Sequence, residues 1–189
     1  MRDLVTSIEA EYRRYKALGE AAIAHLEDAE LAVTDSSASN SIATIVWHLA
    51  GNLASRFTDF LTTDGEKPWR DRDAELAPRT VARAELMARW EQGWAALFDA
   101  LAPLLDADLA RVVTIREQPL RVHEALHRSL AHASYHVGQI VYIAKARRGD
   151  DWRYLSIPPG QSAAYNRAPS QETPKAHAAS LTRSKPPSA

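Results

Sequence analysis

The chain has 189 residues, which is enough for one domain with a buried core and a tail. Its 23 lysine and arginine residues nearly balance 24 aspartate and glutamate residues, so the net charge of −1 gives no electrostatic reason to bind nucleic acid. The absence of cysteine excludes disulfides, thiolate metal ligands and a cysteine nucleophile.

No targeting or membrane segment stands out in the sequence. The first residues, MRDLVTSIEAEYRR, lack the apolar core of a signal peptide. No apolar run reaches the length that spans a bilayer. We therefore expect a soluble, cytoplasmic protein that binds neither nucleic acid nor membranes.

Apolar side chains recur every three or four residues in four long segments, which predicts four helices. These segments run from about Leu4 to Leu26, Asn40 to Thr62, Thr80 to Ala102 and Val122 to Arg148. Gly149 is a suitable stop for the last helix. The second helix has candidate N-caps at Ser36, Ser37, Ser39 and Asn40.

The segments between these helices are shorter or more polar. The loop from Gly65 to Arg79 is long and charged, which is typical of functional loops or of loops that cover one end of a helical fold. In residues 111–122, Val112, Val113 and Ile115 predict a short extended segment that forms a small hairpin with Leu120 and Val122.

Together these elements predict an all-α fold, a four-helix bundle with a short irregular or hairpin segment before the last long helix. The domain covers residues 1–167. Residues 168–189 are rich in proline, serine, alanine and lysine, and we expect them to be a disordered tail.

Two histidine pairs lie on the fourth helix, each with the four-residue spacing that lets two imidazoles reach one metal ion. They are His123 with His127 and His132 with His136. The pairs start nine residues apart, roughly 180° around the helix, so both cannot face the same interior point. Periodicity alone does not choose between them, and either pair has a simpler interpretation as surface or hydrogen-bonded histidines.

A third histidine, His48, lies on the second helix beside its apolar stripe. A helix that carries two histidines and faces a helix that carries one offers three nitrogen ligands. Three nitrogens suit zinc, nickel or iron and leave coordination positions open. A lone helical histidine is nevertheless more often an ordinary core or surface residue.

Several stretches resemble the DinB/YfiT-like superfamily, in particular a branch known only as a domain of unknown function. They include "NSIATIVWHLAGN", "HASYHVGQI" and "WRYLSIPPGQSAAYN", and the resemblance covers about residues 1–167. It implies a four-helix bundle with an unusual crossover and a three-histidine metal site at one end. His48, His132 and His136 match the ligand positions, whereas His123 and His127 match none.

The resemblance also implies a chemistry, because characterised relatives are metal-dependent enzymes that use low-molecular-weight thiols. We therefore expect a divalent metal, zinc or nickel before iron or manganese, and a thiol S-transferase that joins a small thiol to an electrophile. The alternatives are a hydrolase or isomerase on the same site, or a non-catalytic metal-binding or dimerising bundle. A homodimer is expected, and an exposed apolar patch at Trp90, Trp94 and Leu97 would support it.

Other polar residues are candidates for the surroundings of the metal. Asn52 and Asp59 can orient His48 by accepting its remaining N–H, although ordinary helix polarity explains both as well. Tyr135 and Gln139 flank the His132–His136 pair. Arg56 and Arg116 are candidates for a substrate carboxylate, with plain surface residues as the alternative.

Overall fold

The structure, a computed structural model, describes residues 1–36 and 38–183 and is predominantly helical. The long helices are α1 (Asp3–Ile23), α2 (Ile42–Phe57), α4 (Arg83–Leu101) and α5 (Val122–Arg148). The shorter elements are helix α3 (Arg72–Leu76), strands β1 (Val112–Ile115) and β2 (Gln118–Arg121), and helices α6 (Ser162–Arg167) and α7 (Pro174–Arg183). Single 3-10 turns lie at Asp28–Glu30, Asp106–Ala110 and Gly149–Asp151. The prediction of an all-α fold is confirmed.

The long helices bury their apolar stripes against one another. α1 packs on α5 and α2 packs on α4, while α2 also contacts α5 and α1 contacts α4. Trp90, Trp94 and Leu97 are completely or almost completely buried in this core. They therefore form no exposed patch, and the homodimer stays a prediction without support from these three side chains.

The α2–α4 crossing is unusually close. A Cβ atom built on Gly93 of α4 would lie 2.5 Å from Cα of Ala50 on α2, a distance that real Cβ atoms do not reach. Glycine at this position therefore lets the two backbones approach, and this approach fixes the position of α2 within the fold.

The start of α2 differs slightly from the prediction. Oγ of Ser41 accepts a hydrogen bond from the backbone N–H of Thr44 at 3.1 Å, so the cap is Ser41 rather than one of the polar residues before it. Among the predicted caps, Ser37 lies outside the described residues. The helix ends at Phe57 instead of Thr62, because the next residue, Thr58, is extended with a ψ of 126°, and Asp59 follows with a φ of 50°.

The predicted hairpin is confirmed. β1 and β2 are antiparallel, with Val113 opposite Leu120, and Val122 begins α5 rather than extending the second strand. The turn residues Arg116 and Glu117 have φ values of 53° and 62°. Their backbone N–H groups donate to the carboxylate of Asp64, each at 2.8 Å, which fastens the hairpin to the segment after α2.

The described part of the C-terminal segment, residues 168–183, differs from the expectation of a disordered tail, and residues 184–189 lie outside the described residues. Helix α7 packs against α1 and buries Leu181, which is 5% exposed. Nε2 of His177 lies 2.8 Å from the carbonyl oxygen of Leu155 and joins α7 to the chain before α6. Composition missed this helix because a single buried leucine, Leu181, is its main apolar contact.

In the part of the chain that the structure describes, no helix has both the length and the apolarity needed to cross a membrane.

Candidate metal centre

Three imidazole rings from two helices converge at one point between α2 and α5. Nε2 of His132 lies 3.3 Å from Nε2 of His48 and 3.2 Å from Nε2 of His136. The three rings can each offer one nitrogen such that all of these atoms lie within 4.8 Å of one another. Among the described residues, this is the one group of histidine or carboxylate side chains with such geometry.

These distances fit a shared metal ion. Nitrogen ligands lie about 2.0–2.1 Å from zinc, so neighbouring nitrogens of a tetrahedral site are about 3.3–3.4 Å apart. The two Nε2 separations at His132 match that edge. Three protein ligands leave at least one coordination position for another molecule, which is the arrangement of catalytic rather than closed structural sites.

The orientation of His48 is set by a carboxylate. Nδ1 of His48 lies 3.1 Å from Oε2 of Glu75, so the N–H at Nδ1 donates to Glu75 and the lone pair of Nε2 faces the other two rings. Burial raises the pKa of Glu75, but the hydrogen bonds from His48 and Arg70 outweigh it and hold the pKa below the usual range. Glu75 is therefore ionised at neutral pH and accepts these hydrogen bonds.

Arg70 in turn holds Glu75. Nε and Nη2 of Arg70 each donate to one carboxylate oxygen of Glu75 at 2.9 Å, a bidentate pair whose arginine side chain is 1% exposed. A buried ion pair of this kind stabilises the fold only while both partners are present, since removal of one leaves an unpaired buried charge. Arg70, Glu75 and His48 thus form one chain of contacts that ends at Nε2 of His48, the nitrogen that lies near His132.

Gly51 makes room for this carboxylate. A Cβ atom on Gly51, one turn after His48, would lie 2.0 Å from Oε1 of Glu75 and 2.5 Å from its Cδ. Glycine in a helix interior costs about 1 kcal/mol relative to alanine. At this position the absence of a side chain lets Glu75 reach the His48 ring, and the resulting hydrogen bond offsets the cost.

On α5, His136 is oriented by its own neighbour. Nδ1 of His136 donates to Oε1 of Gln139 at 2.9 Å, which again leaves Nε2 free. Burial is the largest cause that lowers the pKa of His132 to about 3, and electrostatic repulsion between its protonated form and those of His136 and His48, and then Arg70 and Arg56, lowers it further. Burial also lowers the pKa of His136. Both imidazoles are therefore neutral at pH 7, the form that binds a metal.

The other histidine pair on α5 does not form such a site. Nδ1 of His123 lies 2.9 Å from the carbonyl oxygen of Leu109, and His127 is exposed. Neither belongs to the three-histidine group. The structure therefore resolves the choice that periodicity left open.

The remaining predicted residues occupy different positions around the centre. Gln139 contacts His136 as described, and the Tyr135 ring lies 5.1 Å from the His136 ring while its side chain is largely exposed. Asn52 borders the adjoining cleft, but Glu75 and not Asn52 accepts the N–H of His48. Asp59 lies beyond the end of α2 with an exposed side chain, and it has no contact with His48.

A cleft of about 190 Å³ opens beside the centre, and His48 and His132 form part of its wall. Arg56 and Arg116 also line it. Nη2 of Arg56 donates to Oε2 of Glu66 at 3.0 Å, and Nη2 of Arg116 forms an ion pair with the same oxygen at 3.0 Å. Sequence reasoning missed three further arginines in the same wall: Arg70, Arg72 and Arg128. For Arg128 a signal existed, because it lies four residues before His132 and therefore on the same face of α5.

Comparison with known proteins places the chain in a family without assigning it an activity. No curated protein and no solved structure gives a significant match. One family model matches residues 1–161, and its members share no established function. The chain therefore belongs to the family described as "protein of unknown function (DUF1572)".

Proposed function

We propose that this chain is a divalent-metal-dependent enzyme that transfers a low-molecular-weight thiol to an electrophilic substrate. The observation that carries the proposal is the convergence of three Nε2 atoms on one point at the wall of an open cleft. We further propose that the four long helices form a bundle of DinB/YfiT type, as the sequence resemblance implies. Zinc or nickel suits three imidazole nitrogens best.

A divalent cation in this site stabilises the deprotonated form of a thiol or of water that enters the cleft. The residues of the chain prepare the site for it. Glu75 and Gln139 fix the two rings whose Nδ1 they contact, so that ligand geometry needs no rearrangement on binding. Phe57, Phe60 and Ile115 give the cleft apolar walls that limit the access of bulk water to the reacting sulfur.

The thiol must come from a cosubstrate, since the chain contains no cysteine. In the proposed reaction the S–H bond breaks, a bond forms between sulfur and the electrophilic carbon, and the proton leaves with the displaced group or remains on the addition product. A cytoplasmic location is part of the proposal, because a free small thiol persists in a reducing compartment.

Metal content tests the first half of this proposal. Purified wild-type protein is expected to contain about one divalent ion per chain by elemental analysis, and His132→Ala is expected to lose it. His123→Ala is the matched control, because it removes a histidine of the same helix that lies outside the site. Equal metal content in wild type and His132→Ala would contradict the proposed centre.

A thiol assay tests the second half. Small thiols are incubated with monochlorobimane and protein, with and without the metal, and thioether formation is followed by fluorescence. Metal-dependent formation that His132→Ala abolishes supports the transferase. Metal-dependent hydrolysis of ester or amide substrates without thioether formation would instead support the hydrolase alternative. A bound metal with neither activity would support the non-catalytic alternative.

A further inference from the structure

The cleft beside the histidines carries an excess of positive charge. Five guanidinium groups line it, those of Arg56, Arg70, Arg72, Arg116 and Arg128. The carboxylates that neutralise them are two, Glu66 and Glu75. A cleft of this size with such an imbalance is suited to a negatively charged ligand.

The two carboxylates are shared by three of these arginines. Glu75 is held by both nitrogens of Arg70, and Oε2 of Glu66 lies 3.0 Å from Nη2 of both Arg56 and Arg116. Arg72 and Arg128 make no ion pair with any residue in the described part of the chain, and both are exposed. Their charges are therefore available to a ligand.

The arginines come from separate elements and surround the cleft. Arg72 lies on α3, Arg116 on the hairpin turn and Arg128 on α5, one turn before His132. Asp64 holds the backbone of the turn through the N–H of Arg116. Guanidinium groups presented from different sides can each form paired hydrogen bonds with a carboxylate, which a single lysine cannot do.

Part of the wall is apolar. Phe57, Phe60, Ile115 and Ala125 line the cleft, together with the polar side chains of Asn52, Thr114 and Ser129. Such a wall favours a short carbon chain over a bare inorganic anion, because the carbon atoms bury apolar surface while the charged end contacts arginine.

We propose that Arg72, Arg116 and Arg128 bind the carboxylate of a small organic acid and that this acid is the electrophilic substrate. The role as substrate rests on the proposed function, whereas the binding of the carboxylate rests on the cleft alone. The acid lies with its charged end among the arginines and its carbon chain along the phenylalanines, directed towards His48 and His132.

Binding is tested by calorimetric titration of the metal-free full chain with succinate at low ionic strength. Butane-1,4-diol is the neutral control of the same length, and inorganic phosphate is the anion without a carbon chain. Wild type is expected to bind succinate saturably, phosphate more weakly, and butanediol not measurably. Absence of succinate binding, or tighter binding of phosphate, would overturn the proposal.

The arginine variants locate the site. Arg72→Ala and Arg128→Ala are expected to weaken succinate binding about tenfold or more each, since charged hydrogen bonds are lost. Arg128→Lys keeps the charge but not the fork and should lie between wild type and alanine. Arg111→Ala removes an exposed arginine outside the cleft and should bind as wild type does. Equal loss in Arg111→Ala would show a general charge effect and overturn the assignment.

A further variant separates this inference from the metal proposal. His136 is a ligand candidate but does not line the cleft, so His136→Ala should lose metal and still bind succinate. If wild type binds succinate through these arginines but takes up no metal, the anion site is supported and the metal centre is contradicted. Loss of succinate binding in metal-free His136→Ala with unchanged thermal unfolding would overturn the independent anion site.

Discussion

Replacing Gly51 with alanine tests whether Glu75 controls the metal site. The added Cβ atom would lie 2.0 Å from Oε1, 2.5 Å from Cδ and 3.1 Å from Cγ of Glu75, so the carboxylate has to move away from α2. The hydrogen bond at 3.1 Å to Nδ1 of His48 is then lost. Loss of such a partner typically weakens metal binding about 10- to 100-fold, or about 1.4–2.7 kcal/mol.

The assay is a competition titration of zinc between the protein and a chromophoric chelator at pH 7.5. Gly138→Ala is the matched control, because it makes the same substitution on α5, between His136 and Gln139, where an added Cβ atom meets no atom within 4 Å. This control should bind zinc as wild type does and gain up to about 1 kcal/mol of stability from helix propensity.

A double variant shows that the effect passes through Glu75. In a Glu75→Ala background no carboxylate meets the new methyl group, so Gly51→Ala should cause little further loss of zinc affinity. The reasoning is refuted if Gly51→Ala alone binds zinc as tightly as wild type, or if Gly138→Ala weakens zinc binding to the same degree.

Three further substitutions test individual contacts of the fold by urea unfolding. Asp64→Ala should cost about 1–2 kcal/mol at pH 7, a value discounted because the carboxylate is partly exposed. The backbone N–H of Glu66, followed by those of the hairpin turn, holds the pKa of Asp64 well below its usual range. Its stabilising effect is therefore complete above about pH 4, the usual pKa of aspartate, and is lost as the pH falls further, so the variant and wild type should converge in acid. A pH-independent difference would contradict this assignment. Gly93→Ala should lower stability by about 1–3 kcal/mol despite the better helix propensity of alanine, because the methyl group meets the backbone of Ala50; unchanged stability would show that the helices are farther apart. Leu181→Ala should cost about 1–3 kcal/mol if α7 packs on α1 and nothing if the segment is disordered.

Periodicity predicted the four long helices because each buries one continuous stripe. It predicted both ends of α5 correctly and both ends of α1 to within three residues. It failed at the end of α2, where Phe60 is buried from a turn instead of from a helix. An apolar stripe reports which side chains reach the core, and it does not report whether the backbone between them is still helical.

The candidate metal site was only partly predictable from the sequence. Spacing identified two equivalent pairs on α5, and the choice between them depended on which side of that helix faces α2. Glu75 was missed altogether, since it reaches His48 from 27 residues away through a segment without periodicity. The sequence signal for Glu75 is Gly51. Glycine lowers helix propensity inside an apolar helix, and close approach by another group, here Glu75, explains why glycine is present at this position.

The segment between α2 and α4 connects the two halves of the site. It supplies Glu75 and Arg70 to the histidine centre, and Glu66 and Arg72 to the charged cleft. Because Arg70 already pairs with Glu75 through two hydrogen bonds, the carboxylate acts on His48 chiefly as the acceptor for Nδ1, which directs Nε2 towards the other two rings. Nη1 of Arg70 also approaches Oε1 of Glu66 at 3.7 Å. One buried guanidinium therefore contacts both the carboxylate that orients His48 and the carboxylate that Arg56 and Arg116 share.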